Sequence, residues 1–314
     1  MRRRTQRVAT LGGLPCLVLG PPDAPPLALL PGLSPEHAVG AGPAGRAELA
    51  LARAFAGRFR VAWIARRPGL ADDAEQPTTA SLARELAGAL REVAGGAPVD
   101  VLGISTGGSL ALQLAADHPQ VVRRLVVVSA AARLGDAARA EQRALAERVR
   151  AGDRRGAFGQ LAADFVPGSP PGAGARTAAL HARLAALARP PLAAFGRAAG
   201  PLLWPDAGDL RDMAAVIEAE DAFDLRARLG DVRAPTLVVA GGRDAYYEAD
   251  AFEALARGVA DGRLVRFPRR GHGTVVADPR FVPAVEAFLL GTDPGAADGR
   301  AAPAASAQDA RPAR

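Results

Sequence analysis

Ser105 stands in Gly103-Ile104-Ser105-Thr106-Gly107, a G-x-S-x-G pattern that puts a serine on a sharp turn between a strand and a helix. A serine hydroxyl is a weak nucleophile near neutral pH. Acyl transfer from this position therefore needs a base within hydrogen-bond reach and a carboxylate to orient that base. The chain has four histidines. His37 lies in a loop after an early strand, His118 closes a helix in Asp117-His118-Pro119, and His181 falls in a helical stretch; these read as loop or helix side chains, with His37 the best placed of the three to touch a ligand. His272, in Arg270-Gly271-His272-Gly273 directly after the last apolar run, reads as the base. Asp244, in Gly241-Gly242-Arg243-Asp244, follows the run 236–240 at the carboxyl end of a buried strand, where α/β sheets place their ligands, and reads as the orienting acid. Asp221 and Asp224 precede that run and belong at its other end or in the connecting helix. The three residues occur in the order Ser, Asp, His, the order that accompanies G-x-S-x-G.

With seven serines and 35 glycines the bare pattern arises by chance in roughly one such sequence in ten, so its surroundings decide its meaning. An apolar run at 99–102 leads in, and Gly108-Ser109-Leu110-Ala111-Leu112 leads out as a helix whose amino-terminal dipole faces the serine. The oxyanion of a tetrahedral intermediate also needs donors. The backbone N–H of Thr106 follows the nucleophile, and the turn Pro31-Gly32-Leu33-Ser34-Pro35 after an early strand offers the N–H of Leu33.

Short apolar runs at 14–19, 27–30, 60–64, 99–103, 125–129, 236–240 and 264–267 read as strands, and several are too continuously apolar for one face to meet water. Segments 46–56, 79–93, 107–117, 249–258 and 281–289 carry helical periodicity between them. The alternation predicts an α/β fold, with a mostly parallel central sheet covered by helices on both faces. From 131 to 222 only helical segments occur, at 137–150, 154–165, 176–188 and 209–220. This is an all-helical insertion between two sheet strands, dividing the core into 1–130 and 223–290. Residues 291–314 have almost no large apolar side chain and read as a disordered tail.

The 314 residues are 49% hydrophobic and 23% charged with a net charge of +6, which suits a folded chain with a sizeable core. All of the basic side chains except the histidines are arginine. Four of them fall within 1–7, read as a basic arm, and only 4% of residues are aromatic, so neither nucleic acid nor membrane is an expected partner. A small-molecule substrate is. Gly12, Gly13 and Pro15 break the apolar run 8–19 that could be taken for a secretory leader, which points to first strands there and a cytoplasmic protein. Cys16 has no partner for a disulfide or a thiolate zinc site, and no metal or cofactor is expected.

These segments, with the lead-in Ala234-Pro235-Thr236-Leu237-Val238-Val239, resemble the α/β-hydrolase superfamily over about 8–290, and its bacterial esterase-like or cofactor-free haloperoxidase-like members with a helical cap. The resemblance implies a cap, 131–222, roofing a pocket. Two departures stand out. Relatives often carry His-Gly where Pro31-Gly32 stands, and often an Asp after the strand where this chain has Arg66-Arg67-Pro68-Gly69. Arg66 and Arg67 read as a solvated loop, the alternative being a pair that faces the pocket and favours an anionic group. Dehalogenases and epoxide hydrolases of this fold carry aspartate at the elbow, so Ser105 favours an acyl-enzyme route to hydrolysis of a small to medium ester or thioester. Acyl transfer to another acceptor, or a binding or signalling protein with little turnover, would use the same fold. Phe158, Phe165, Leu202, Leu203, Trp204 and Met213 either line the pocket or pack the inserted helices together.

Overall fold

A computed structural model describes residues 6–35, 43–163, 175–205, 207–208 and 210–292. His37, Phe165 and nearly all of the expected tail lie outside the described residues. Eight strands form one sheet: β1 (Gln6–Leu11), β2 (Leu14–Leu19), β3 (Pro26–Leu30), β4 (Arg60–Ile64), β5 (Val99–Ile104), β6 (Val122–Val128), β7 (Thr236–Arg243) and β8 (Gly262–Gly271). Their order across the sheet is β1-β2-β4-β3-β5-β6-β7-β8. The pairs β1–β2 and β2–β4 are antiparallel, and the rest are parallel.

β1 covers the start of the broken run 8–19, where first strands are expected, although the strand segments read from the sequence begin only at 14. Gly12 and Gly13, both at positive φ (54° and 83°), close it onto β2 as a two-residue hairpin, a turn whose left-handed backbone glycine adopts without strain. Gln6 and Arg7 pair with Leu19 and Val18, so the expected basic arm ends inside the sheet.

The two faces of the sheet bury separate apolar layers. On one lie α2 (Thr79–Val93), α3 (Thr106–Asp117) and α8 (Ala249–Gly258), through residues such as Leu86, Leu90, Leu112, Leu114, Phe252 and Leu255. On the other lie α1 (Pro43–Phe55) and α9 (Phe281–Leu290), where Phe55, Phe281, Val285 and Phe288 pack over Leu29, Trp63 and Val126. Cys16 is buried in the first of these layers, and burial pushes its thiol up to about 12, which keeps it unreactive. Gly291 ends α9 at positive φ (69°) with Thr292 N–H donating to the carbonyl of Ala287. Among the described residues no helix is long and apolar enough to cross a membrane.

Between β6 and β7 come α4 (Asp136–Arg150), α5 (Arg154–Ala163), α6 (Ala175–Leu203) and α7 (Arg211–Asp221). They share a small core of their own, with Leu145, Val149, Phe158, Met213 and Ile217 at its centre. α6 runs 15 residues past 188, where the sequence reading ends the helix, and carries Pro190, Pro191 and Pro201 inside it. The cost of those prolines is offset by packing. A Cβ built on Gly196 or Gly200 would stand 2.4 Å from an atom of Phe158, so the bare glycines let α6 lie directly on α5. The opposite side of α6 leaves Leu184, Leu187 and Leu202 exposed.

Asp100 is a carboxyl fully buried in β5, beside Arg123. Burial is the largest influence and pushes it up to about 6, against 3.8 ordinarily, while Arg123 acts the other way. A carboxyl that holds its proton more tightly in the folded chain favours folding below about pH 4, and that contribution is lost as pH rises through 6. Unfolding free energies from urea titration at pH 4 and pH 7 should show Asp100→Asn gaining roughly 2–3 kcal/mol on wild type across that interval. An unchanged difference would mean that Asp100 is ionised throughout.

Candidate active site

β5 delivers Ser105 to the sheet's carboxyl edge, and α3 begins at the next residue. The turn holds Ser105 at φ 52° and ψ −123°, a left-handed backbone unusual for a residue with a Cβ. Its N–H donates to the carbonyl of Val128 (2.8 Å), while its own carbonyl accepts from the N–H groups of Gly108 (2.6 Å) and Ser109 (3.1 Å). Glycines make the turn possible. A Cβ on Gly103 would lie 2.3 Å from the carbonyl oxygen of Gly107, and one on Gly107 would lie 2.3 Å from that of Leu30.

The structure brings Ser105, His272 and Asp244 together in one chain of contacts. Ser105 Oγ lies 2.9 Å from His272 Nε2, and His272 Nδ1 lies 3.0 and 2.9 Å from Asp244 Oδ1 and Oδ2. The Asp244 side chain is 1% exposed and that of His272 16%, so the carboxylate is shielded while the imidazole still reaches the cavity. Asp244 Oδ1 also accepts from the N–H groups of Tyr246 (2.8 Å) and Tyr247 (3.3 Å), which fixes its rotamer. The Tyr246 ring lies 4.4 Å from the imidazole, centre to centre. Ser129, a second non-glycine at positive φ (50°), donates from Oγ to the carbonyl of His272 (3.0 Å) and so ties the end of β6 to the histidine loop. Asp221 and Asp224 are engaged elsewhere, by Arg139 and Arg143 and by Arg226 respectively. His118 caps α3.

The reading of Arg66 as solvated is corrected. Arg66 is buried, and it donates from Nη1 to the carbonyl of Gly32 (3.1 Å) and from Nη2 to that of Ser34 (3.2 Å). Burial lowers its pKa, and Glu48, Glu220 and Asp212 oppose that shift. A guanidinium stays charged even so. Two donors of one guanidinium match two carbonyls two residues apart, which a solvated loop position would not supply. The Gly32 carbonyl and the Leu33 N–H belong to one trans peptide and point in opposite directions, so Arg66 aims that N–H away from itself. The loop also passes against the elbow: a Cβ on Gly32 would stand 3.4 Å from Ser105 Cβ. Arg67 is half-buried and ion-paired with Asp73 and Glu85.

Behind the elbow sits Glu220 of α7, 2% exposed. Its Oε2 accepts from Thr106 Oγ1 (2.8 Å) and Gln142 Nε2 (3.3 Å), and its Oε1 accepts from Ser109 Oγ (2.8 Å). The inserted helices thereby touch the first turn of α3 through one carboxylate.

A cavity of about 360 Å³ opens over Ser105 and His272. Leu29, Leu33, Leu51, Trp63, Ile104 and Val276 line it from the core, and Gln142, Leu145, Leu161 and Trp204 line it from the inserted helices; Glu48 and Tyr246 add polar groups. Of the six aromatic and aliphatic candidates in 131–222, Trp204 faces the cavity, Phe158 and Met213 pack inside the helical core, and Leu202 is exposed. Among the described residues no group of three or more His, Cys, Asp or Glu side chains could hold a metal ion.

Removing Arg66 should leave two loop carbonyls and three nearby carboxylates without their cation. Arg66→Met should lower the unfolding free energy by about 2–4 kcal/mol, whereas Arg67→Met, half-exposed, should cost under about 1 kcal/mol. Equal losses in urea titrations would contradict the difference in their surroundings.

Comparison with known proteins agrees with this architecture. A family model described as the alpha/beta hydrolase fold matches residues 47–279. The chain is 31% identical over 294 residues to part of the polyketide synthase ThaQ of Burkholderia thailandensis, with 88% of this chain covered but 12% of that protein, so it spans about an eighth of that relative's length. Among solved structures, a hydrolase from Pseudomonas aeruginosa superposes with a TM-score of 0.62 at 28% identity, covering 92% of this chain and 98% of the other. The enol-lactonase from Burkholderia xenovorans gives 0.63 at 22% identity (90% and 100% covered). A thermophilic esterase from Thermogutta terrifontis gives 0.61 at 21% identity (92% and 98%). With the elbow, the sheet order and the family match in agreement, the chain belongs to the alpha/beta hydrolase fold family.

Proposed function

We propose that the protein is a serine hydrolase that cleaves an ester or thioester through an acyl-enzyme. The observation that carries this reading is the unbroken chain Ser105 Oγ–His272–Asp244, with its serine end open to the cavity. In this reading neutral His272 takes the Ser105 proton at Nε2 as Oγ attacks the carbonyl, and Asp244 holds Nδ1–H and balances the imidazolium that forms. The N–H groups of Leu33 and Thr106 receive the oxyanion. The imidazolium then protonates the leaving alcohol or thiol, and water activated by His272 releases the acid. Arg66 contributes by holding the Leu33 peptide in place.

The substrate is a small to medium molecule with apolar parts, because leucine, isoleucine, valine and tryptophan make up most of the cavity wall. Residues 131–222 act as the cap in this reading, since α4, α5 and the segment just after α6 supply one side of that wall.

A fluorophosphonate probe should label Ser105, and Ser105→Ala should abolish labelling. Absence of labelling in folded wild type would end the hydrolase reading. With p-nitrophenyl esters and matched acyl thioesters graded by chain length, His272→Ala and Asp244→Asn should each lower kcat by about three to four orders of magnitude. Near-full activity in Asp244→Asn would move the acid to another carboxylate.

A further inference from the structure

Among the described residues two that are not glycine adopt positive φ, and both are serines at the carboxyl edge of the sheet. Ile104 of β5 and Val128 of β6 form the last paired row between those strands, so Ser105 and Ser129 stand side by side, one residue beyond it. The strain at Ser105 belongs to the elbow. Ser129 is no part of that turn, yet it keeps φ 50° at a fully buried position where glycine would be unstrained. Glycine, however, has no hydroxyl. That hydroxyl is in use, since Ser129 Oγ donates to the carbonyl of His272 (3.0 Å), 143 positions away.

The neighbouring groups make Val128-Ser129 a junction of all three triad segments. The carbonyl of Val128 accepts from the N–H of Ser105 (2.8 Å), and the N–H of Ser129 donates to the carbonyl of Val239 (2.9 Å) in β7, the strand that leads to Asp244. The first two ties continue the ordinary ladder of a parallel sheet. His272 lies outside that ladder, because it follows β8, two strands away from β6. Only a side chain spans that gap. His272 is thus anchored at both ends: Asp244 holds the imidazole at Nδ1, and Ser129 holds the backbone.

We propose that Ser129 is a positioning residue for the base: its hydroxyl sets the His272 backbone at the depth where Nε2 meets Ser105 Oγ, and the left-handed backbone at 129 is kept because it carries the hydroxyl there. This rests on the hydrolase reading above. Ser129 is buried and lies outside the cavity lining, so it touches no substrate. Without its bond the imidazole meets Ser105 over a wider range of positions, which slows proton transfer during attack while the walls that bind substrate stay as they are.

The test compares Ser129→Ala, which removes the hydroxyl and keeps the strain, with Ser129→Gly, which removes both. On p-nitrophenyl esters each should lower kcat/KM by a similar factor, about 10- to 100-fold, and the second-order rate of fluorophosphonate labelling should fall with it. Ser129→Gly should nevertheless melt above Ser129→Ala, since glycine meets no penalty at this φ. A merely structural role would leave the folded variants near wild-type rates or order them by melting temperature. Introduced into His272→Ala, Ser129→Ala should change the residual rate by less than about twofold, because the imidazole it acts through is gone. Wild-type rates in Ser129→Ala, or an equal loss with and without the imidazole, overturn this inference and leave the hydrolase reading standing. Wild type that neither labels with fluorophosphonate nor turns over any ester overturns the hydrolase reading, and this inference with it.

Discussion

The close passage of the first turn of α3 beneath the end of β3 sets almost everything else at the site. No side chain can stand at Gly107, because its Cβ would fall 2.3 Å from the Leu30 carbonyl and 2.5 Å from that of Pro31. That contact brings the loop after β3 alongside the nucleophile turn, where a Cβ on Gly32 would stand 3.4 Å from Ser105 Cβ. Ser105 then has little choice of backbone. Hydrogen bonds from three directions hold it in a left-handed conformation that a serine would not adopt unaided. The strain is local, and two packed apolar layers on the sheet sustain it.

Much of this could be read from local spacing. The elbow, the two loop residues at the ends of β7 and β8 and the Leu33 turn each follow an apolar run, and a buried parallel strand fixes where its next residue must emerge. The expected helix 79–93 matches α2 residue for residue, since its apolar positions repeat cleanly and Thr78 caps it with a reciprocal Ser81 bond. What escaped notice has no local signature. Arg66 follows a strand as any loop arginine would, and only the folded chain sets two carbonyls before it. Glu220 and Gln142 look like ordinary polar residues on amphipathic helices; their partners lie 114 and 78 positions away. β1 is half polar and pairs on one side only, so the broken run 8–19 points to strands without marking its bounds. α6 passes its prolines because of contacts with another helix, which no propensity encodes.

Three buried charges around the site share one pattern, which Asp100 beside Arg123 does not: each is bound by several neutral donors or acceptors. Glu220 is held by two hydroxyls and an amide, Arg66 by two carbonyls, and Asp244 by two backbone N–H groups as well as the imidazole. Such cradles fix geometry at little desolvation cost relative to a bare ion pair, which suits a site where angles matter. The exposed arginines behave differently, pairing with nearby acids at the surface, where the arrangement contributes little to stability.

The shared carboxylate of Glu220 carries a genetic consequence. Thr106 and Ser109 of α3 and Gln142 of α4 each spend a polar group on the same two oxygens, so a change at one alters what the other two can tolerate. Their substitution effects will not add. Accepted replacements at these four positions are therefore expected to come as a correlated set.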